Sequence, residues 1–254
     1  MRKTMQSNTT RFSDRVSDYI KYRPSYPVAI IERLNELIGL KSDFVIADIG
    51  SGTGLSSQRF IEAGNLVYGV EPNLEMREAG ESIFSSNPNF KTINGTAENT
   101  TLADQSVDVI FCGQAYHWFD FVKAKLEFAR ILKPGGTVVL AWNERSRKDA
   151  LQRDYEQMLR DFVPEYSKVT QKNIDMDNIQ LFLSPKAMQI IALDNQQVFN
   201  LTELKGRLMS SSYSPKEADE NYELVMNALE VLFNKYQENG KVVFKYDTLL
   251  YISK

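Results

Sequence analysis

Four apolar residues, Phe44-Val45-Ile46-Ala47, run into the loop Asp48-Ile49-Gly50-Ser51-Gly52-Thr53-Gly54, and a segment carrying Phe60 and Ile61 follows before Gly64. The apolar run reads as a buried strand, and the segment after the loop reads as a helix. Glycine in such a turn lets backbone N–H groups approach a ligand without interference from Cβ, where a helix N-terminus begins. A strand that feeds a helix through a glycine loop calls for further strands beside it, so the rest of the chain is read for that alternation.

The alternation is there. Before the loop, Pro27 suits a helix start, Ile30, Leu34, Leu37 and Ile38 share a face, and Gly39 is a stop signal. After it, Leu66-Val67-Tyr68-Gly69-Val70 is a strand ending at Glu71-Pro72-Asn73, and Asn73 can cap the next helix. Phe90-Lys91-Thr92-Ile93 is a weaker strand and residues 107–112 a strong one. A helix from Asp120 places Phe121, Ala124, Phe128 and Leu132 on one side. Lys133-Pro134-Gly135-Gly136 reads as a turn before the strand at residues 137–142. Strands separated by helices predict a parallel sheet with right-handed crossovers and a ligand beyond the strands' carboxyl ends. The alternation breaks after Asn143. Residues 151–162 suggest a helix, residues 168–201 have no clear pattern, and a long amphipathic helix spans 218–236. Strand material at 242–252 returns to the sheet. The chain of 254 residues is therefore read as a single domain. It comprises an N-terminal arm (1–26), a core (44–142) and an insertion (143–215).

Spacing separates the loop from two phosphate sites. The pattern Gly50-x-Gly52-x-Gly54 is not the G-x-G-x-x-G of dinucleotide folds, and no Gly-Lys-Ser or Gly-Lys-Thr follows. Asp48 just before the loop repels a pyrophosphate and attracts a cation, so the loop suits a positively charged nucleoside without phosphates. Glu71, 21 residues after Gly50, is either an ordinary acid at a helix N-terminus or an acceptor for a ribose diol. A net charge of -3 argues against nucleic acid and an anionic membrane, and no apolar run reaches the ~18 residues of a span. One cysteine, Cys112, and one histidine, His117, cannot build a Cys/His zinc site; a metal held only by carboxylates stays open, and no metal is expected. The basic excess in residues 1–26 fits an ordered arm better than a transit peptide, given Asp14, Asp18, Pro24 and Pro27. A cytoplasmic protein is expected.

With these residues in view, the chain resembles the class I S-adenosylmethionine-dependent methyltransferases, an α/β Rossmann-like fold with a seven-stranded sheet, helices on both faces and, here, a helical insertion or lid. Asp48 to Gly54 matches the first motif of the family and Glu71 its ribose-binding acid. Gly95-Thr96-Ala97-Glu98 is similar to its adenine loop, and Leu132 to Gly136 to its motif before the fifth strand. The resemblance implies S-adenosylmethionine as cofactor, held by Asp48, Gly50, Ser51, Gly52, Gly54, Glu71, Pro72, Ala97 and Glu98, with Gln114 and Ala115 along its methionine part. Tyr19 and Arg23 either reach the cofactor carboxylate or lie on a solvated helix face. Phe12-Ser13, Tyr22-Arg23-Pro24, residues 114–119, Ala141-Trp142-Asn143 and Ser212-Tyr213 further resemble a branch related to trans-aconitate methyltransferase.

The resemblance implies a small-molecule acceptor, with a carboxylic acid favoured by that branch. His117 is read as a packed histidine or as the catalytic base, and Trp118 and Phe119 as core or as ligand wall. Arg145, Arg147 and Arg207 are either solvated or grip an anionic acceptor. Two readings of other classes are a nicotinamide oxidoreductase, disfavoured by the glycine spacing and Asp48, and a non-catalytic cofactor- or partner-binding module.

Overall fold

The computed structural model describes residues 20–166 and 175–254. Seven strands form one sheet: β1 (Val45–Ile49), β2 (Leu66–Val70), β3 (Phe90–Ile93), β4 (Val107–Gly113), β5 (Leu132–Arg145), β6 (Met188–Phe199) and β7 (Val242–Ser253). Their order is β3-β2-β1-β4-β5-β7-β6. The first five strands pair in parallel, and β7 runs antiparallel to both β5 and β6. The chain winds outward from β1 through β3 and then returns to β4. The edge beyond β1 and β4 is therefore a switch point, where neighbouring crossovers diverge and leave a crevice.

Period-two alternation puts apolar residues on both faces. Along β4, Val107, Ile110 and Cys112 enter one core, and Val109 and Phe111 the opposite one. The first core is covered by α4 (Phe121–Ile131) and α6 (Met176–Leu183), through Ala124, Phe128, Ile131, Ile179, Phe182 and Leu183. The second lies under α1 (Ala29–Ile38) and α2 (Ser57–Glu62), through Ile30, Leu34, Phe60 and Ile61. α3 (Leu74–Ile83) starts at Asn73, whose side chain accepts from the Met76 N–H at 2.8 Å. α4 starts likewise at Asp120, which accepts from the Lys123 N–H. Gly39 closes α1 at φ 66°, as its place in the sequence predicts.

Three features differ from the sequence reading. The unpatterned stretch contains β6, a full-length edge strand, so the insertion is not wholly helical. The Lys133-Pro134-Gly135-Gly136 turn lies inside β5, as an irregularity between the pairings Val107–Leu132 and Val109–Thr137. Third, the ends of β6 and β7 carry a separate core with α5 (Ala150–Phe162), α7 (Leu201–Met209) and α8 (Tyr222–Tyr236). It is centred on Tyr155, Leu204, Leu229 and Phe244.

The described part of the N-terminal arm lies along the carboxyl edge of the sheet. Asn143 Nδ2 donates to the carbonyls of Pro24 (3.3 Å) and Ser25 (3.4 Å), and Asn195 Nδ2 to Ser25 O (2.7 Å). Gln197 Nε2 reaches Tyr22 O (3.2 Å) and Arg59 Nε reaches Tyr26 O (2.7 Å). Strands far apart in sequence thus share one strap.

Candidate cofactor and active site

At the switch point a cleft of about 580 Å³ opens between the glycine loop and the ends of β2 and β4. Gly50, Gly52, Glu71 and Pro72 line one side, Ala97 and Glu98 the far end, and Gln114, Ala115, Trp118 and Phe119 the other. The volume lies within the range of small-ligand pockets.

The loop is latched to the end of β2. The Gly50 and Ser51 N–H groups donate to Val70 O at 2.8 and 3.3 Å, and Gly54 N–H to Ser51 O at 2.9 Å. Gly50 has φ 72°, and a Cβ built there would stand 2.5 Å from the Ala115 Cβ. Only glycine lets the loop cross so close to β4's end. Glu71 completes the latch: Oε2 accepts from Gly52 N–H at 3.0 Å and Oε1 from Asn73 N–H at 2.9 Å. Burial pushes its carboxyl above the ordinary value, and the two amide bonds and Arg77 offset this only in part. Each oxygen keeps a second lone pair for a diol.

Asp48 sits behind the loop rather than on the cleft wall. It is fully buried on β1, and its Oδ2 accepts from the Ser56 and Ser57 hydroxyls, each at 2.6 Å. Its Oδ1 is sealed from solvent with no partner among the described residues. Burial raises the carboxyl to about 6, against the two serine bonds. The expectation that Asp48 lies on the ligand wall is therefore corrected: it ties the first turn of α2 to β1. Ser51 and Gly54 also stay off the wall. Ser51 is buried, and a Cβ on Gly54 would meet the Phe84 ring at 2.6 Å, so this third glycine serves packing.

On the opposite wall, Gln114 adopts φ 58°, a left-handed conformation costly for a residue with a side chain. Its N–H donates to Ala141 O at 2.8 Å and its Nε2 to Asn143 O at 3.2 Å. Glu98 accepts from Asp120 N–H at 2.7 Å, which places its carboxylate at the start of α4. Trp118 and Phe119 face the cleft, as their ligand-wall reading expects. His117, between them and Tyr116 on a short 3-10 turn, does not line it; its ring tilts on Trp118 at 4.7 Å. Arg23 is likewise away from the wall, donating to Ser210 O at 3.0 Å, and Tyr19 lies outside the described residues. Thr96, in the predicted adenine loop, also lines the wall, and sequence reading gave no site role to Asn73, Met76, Asp120 and Lys123 there. Asn73 and Asp120 were legible only as helix-start residues, and Lys123 carries no signal beyond its helix.

The wall suits a nucleoside sulfonium. Lys123 is its one cationic side chain among the described residues, whereas Glu71, Glu98 and Asp120 are acids, the reverse of a pyrophosphate cradle. Around Gly52 a Cβ would meet nothing within 4 Å, so that glycine opens space for a ligand. Glu71 and Gly50–Gly52 would hold the ribose side, Ala97 and Glu98 the base, and Gln114 and Ala115 the amino-acid part. The fold is the one found in class I S-adenosylmethionine-dependent methyltransferases. Residues 47–140 match the family model described as a methyltransferase domain. An uncharacterized methyltransferase of Mycobacterium bovis is 35% identical over 160 residues, covering 63% of this chain and 63% of its own length. An uncharacterized methyltransferase of Schizosaccharomyces pombe is 26% identical and covers 96% of both chains. A solved structure from Anaeromyxobacter dehalogenans, described as a type II methyltransferase, superposes with a TM-score of 0.67 at 18% identity, covering 92% of this chain and 98% of its own.

Proposed function

We propose that the protein transfers a methyl group from S-adenosylmethionine to a carboxylate oxygen of a small organic acid. When bound, the cofactor would supply an electrophilic methyl carbon to the acceptor oxygen, the C–S electron pair staying on sulfur as the neutral thioether leaves. No proton moves, because a carboxylate is already an anion near neutral pH. The observation that carries this reading is where the titratable groups of the cleft stand. Glu71 is fixed by two amides, Glu98 by the Asp120 N–H, Asp120 by the Lys123 N–H and ammonium, and His117 stands outside the wall. None is poised as a base beside Gln114 and Ala115. The apolar surfaces of Trp118 and Phe119 limit water there, and the chain's work is to orient donor and acceptor, a contribution of about 7–11 kcal/mol when alignment is good.

The kinship with the trans-aconitate branch belongs to this reading, as does the role of residues 143–215. That segment supplies the acceptor side of the pocket, and the arm covers it. His117 then positions Trp118 rather than moving a proton. The experiment is a screen of mono-, di- and tricarboxylic acids, alcohols and amines with S-adenosylmethionine. S-adenosylhomocysteine is assayed and the product identified by mass. A methyl ester is expected. Methylation confined to an amine or alcohol would refute the carboxylate acceptor.

A further inference from the structure

Past the cleft, Arg145 at the carboxyl end of β5 and Arg207 on α7 form a cluster with buried tyrosines, and the acid whose charge Arg145 feels, Glu156, is bonded to other arginines. Arg145 stands two residues beyond Asn143 and opposite Tyr246 in the β5–β7 ladder. Its Cζ lies 5.1 Å from the Tyr155 ring centroid and 5.4 Å from that of Tyr166. Nη2 donates to Tyr166 Oη at 2.5 Å, whereas Nη1 is sealed from solvent with no partner among the described residues. Arg207, buried on α7, donates from Nε to Tyr246 Oη at 3.2 Å and from Nη1 to Ser211 Oγ at 3.1 Å. Tyr213 meets the Tyr166 ring edge-on at 5.0 Å. Tyr155 Oη is buried and also without a partner among the described residues. The acid on the neighbouring helix, Glu156, is engaged by Arg147 at 3.4 Å and Arg160 at 2.6 Å. No salt bridge to Arg145 or Arg207 exists among the described residues.

Desolvated guanidiniums that share a ring of phenols repel each other. Cation–π contact and phenol bonds offset only part of what each loses on leaving water. The same arrangement, planar N–H forks among aromatic walls, is the donor set that recognises a planar oxyanion. Burial pushes the Tyr213 phenol up, yet Arg145, Arg207, a hydrogen bond with Ser211 and Arg23 outweigh it and hold the group below its ordinary value. Burial keeps Tyr155 and Tyr166 above theirs, so the arginine field is strongest at Tyr213. Arg145 and Tyr213 each keep part of their surface exposed, so the cluster has an opening. The chain links it to the cleft: the Asn143 carbonyl, two residues before Arg145, receives Gln114 Nε2, and Gln114 lines the cleft.

We propose that Arg145 and Arg207, with the phenols of Tyr155, Tyr166, Tyr213 and Tyr246, form a carboxylate site that anchors the end of the methyl acceptor remote from the transferred methyl. This rests on the carboxylic-acid reading of the acceptor. The acceptor class follows from it: an acid with a second carboxylate, one end in the cluster and the other at the cofactor.

The test titrates succinate, its neutral diamide and inorganic phosphate into the full-length protein, alone and saturated with S-adenosylhomocysteine. Phenolate absorption and the thermal midpoint are followed. Succinate is expected to bind, to suppress phenolate absorption by cancelling the arginine field, and to raise the midpoint; the diamide is expected to do neither. Arg145→Gln and Arg207→Gln should weaken succinate about 10–100-fold, the worth of a charged hydrogen bond, with S-adenosylhomocysteine affinity unchanged as the check on folding. If a glutamine variant fails that check, Arg145→Lys, which keeps charge and loses the fork, carries the comparison. Wild-type indifference to succinate, or equal binding by the folded variants, overturns the site. Phosphate that binds more tightly than succinate without competing against a methylated acid overturns the anchoring role. A methylated acid whose KM is unchanged in Arg145→Gln overturns the site and leaves the carboxylate reading standing. Arginine-dependent succinate binding in an enzyme that methylates only amines keeps the site and removes that reading.

Discussion

Glu71 is the residue on which loop and strand end converge beside the cleft. Its two oxygens hold Gly52 and Asn73 by their amides, so its loss frees the loop and, on the proposed reading, removes a diol acceptor. Glu71→Ala is expected to weaken S-adenosylhomocysteine about 10–100-fold while the protein stays folded, checked by calorimetry and a urea melt. An unchanged Kd would reduce Glu71 to a helix-start acid. Asp48 makes a prediction about pH. Its folded-state value, about 6, lies above the ordinary 3.8. A raised carboxyl favours the folded state most below its unfolded value, and that advantage is lost as pH rises through the folded value. The window is therefore about pH 4 to 6, and the size about 3 kcal/mol for a shift of roughly two units. Asp48→Asn, which has no charge to bury, should gain stability relative to wild type across that window, read as the difference in urea midpoints at a series of pH values. A difference that does not vary with pH would show that Asp48 does not titrate there.

At the scale of elements, legibility followed the reach of each pattern. β1, β2 and β4 are largely buried on both faces, so they appear as apolar runs broken only by Asp48 and Asp108, and α1, α3 and α4 announce themselves by Gly39, Asn73 and Asp120. The cleft was legible for the same reason, since Gly50, Gly52 and Glu71 fall at the ends of those strands. β6 was not. It is an edge strand whose residues alternate between partly buried and exposed, and its half-buried side carries Asn195 and Gln197. Those two amides do not face apolar core; they hold the carbonyls of Ser25 and Tyr22 in the arm. A strand whose inward side serves another polar backbone loses the apolar alternation that reveals strands. Arg145 and Arg207 were legible as arginines that could grip an anion, but their tyrosine partners were not: these come from α5, β7 and the segments after α5 and α7, and no spacing in the chain joins them. Asn143 links these elements, with bonds to Pro24, Ser25, Asn195 and Thr248. Asn143→Leu leaves those buried partners unmet and should cost about 1–3 kcal/mol. Faster trypsin cleavage after Lys21, with the sheet intact by circular dichroism, is the expected result, and an unchanged cleavage rate would mean the arm is held elsewhere. If the arm and residues 143–215 cover the acceptor, S-adenosylhomocysteine should slow amide exchange in both. Exchange unchanged in both segments would remove the lid role.

For the molecule as a whole, a sheet whose open edge is crossed by a strap, with an acidic cleft at the switch point, discriminates between nucleotide ligands by charge. S-adenosylmethionine and S-adenosylhomocysteine should raise the thermal midpoint, by about 2.7 kcal/mol of stabilisation at 100 times Kd, and NAD should not. Stabilisation by NAD alone would overturn the cofactor. The identity of the acceptor then decides what His117 does. With a carboxylate acceptor there is no proton to remove, and the half-buried imidazole, resting on Trp118 outside the cleft wall, only shapes that wall. His117→Ala should then lower kcat far less than the ~10²–10⁴-fold a general base contributes, and any loss should fall mainly on KM. The kcat–pH profile should keep the same shape in wild type and variant, because the only group altered takes no part in the chemistry. With a hydroxyl or amine acceptor the outcome reverses. The wild-type rate would climb as the histidine loses its proton, and the variant would lose both that rising limb and the full general-base factor. Measured on the acid that the acceptor screen returns, a parallel pair of profiles supports transfer to an oxygen that is already anionic. A vanished limb makes His117 the base and the carboxylate assignment wrong.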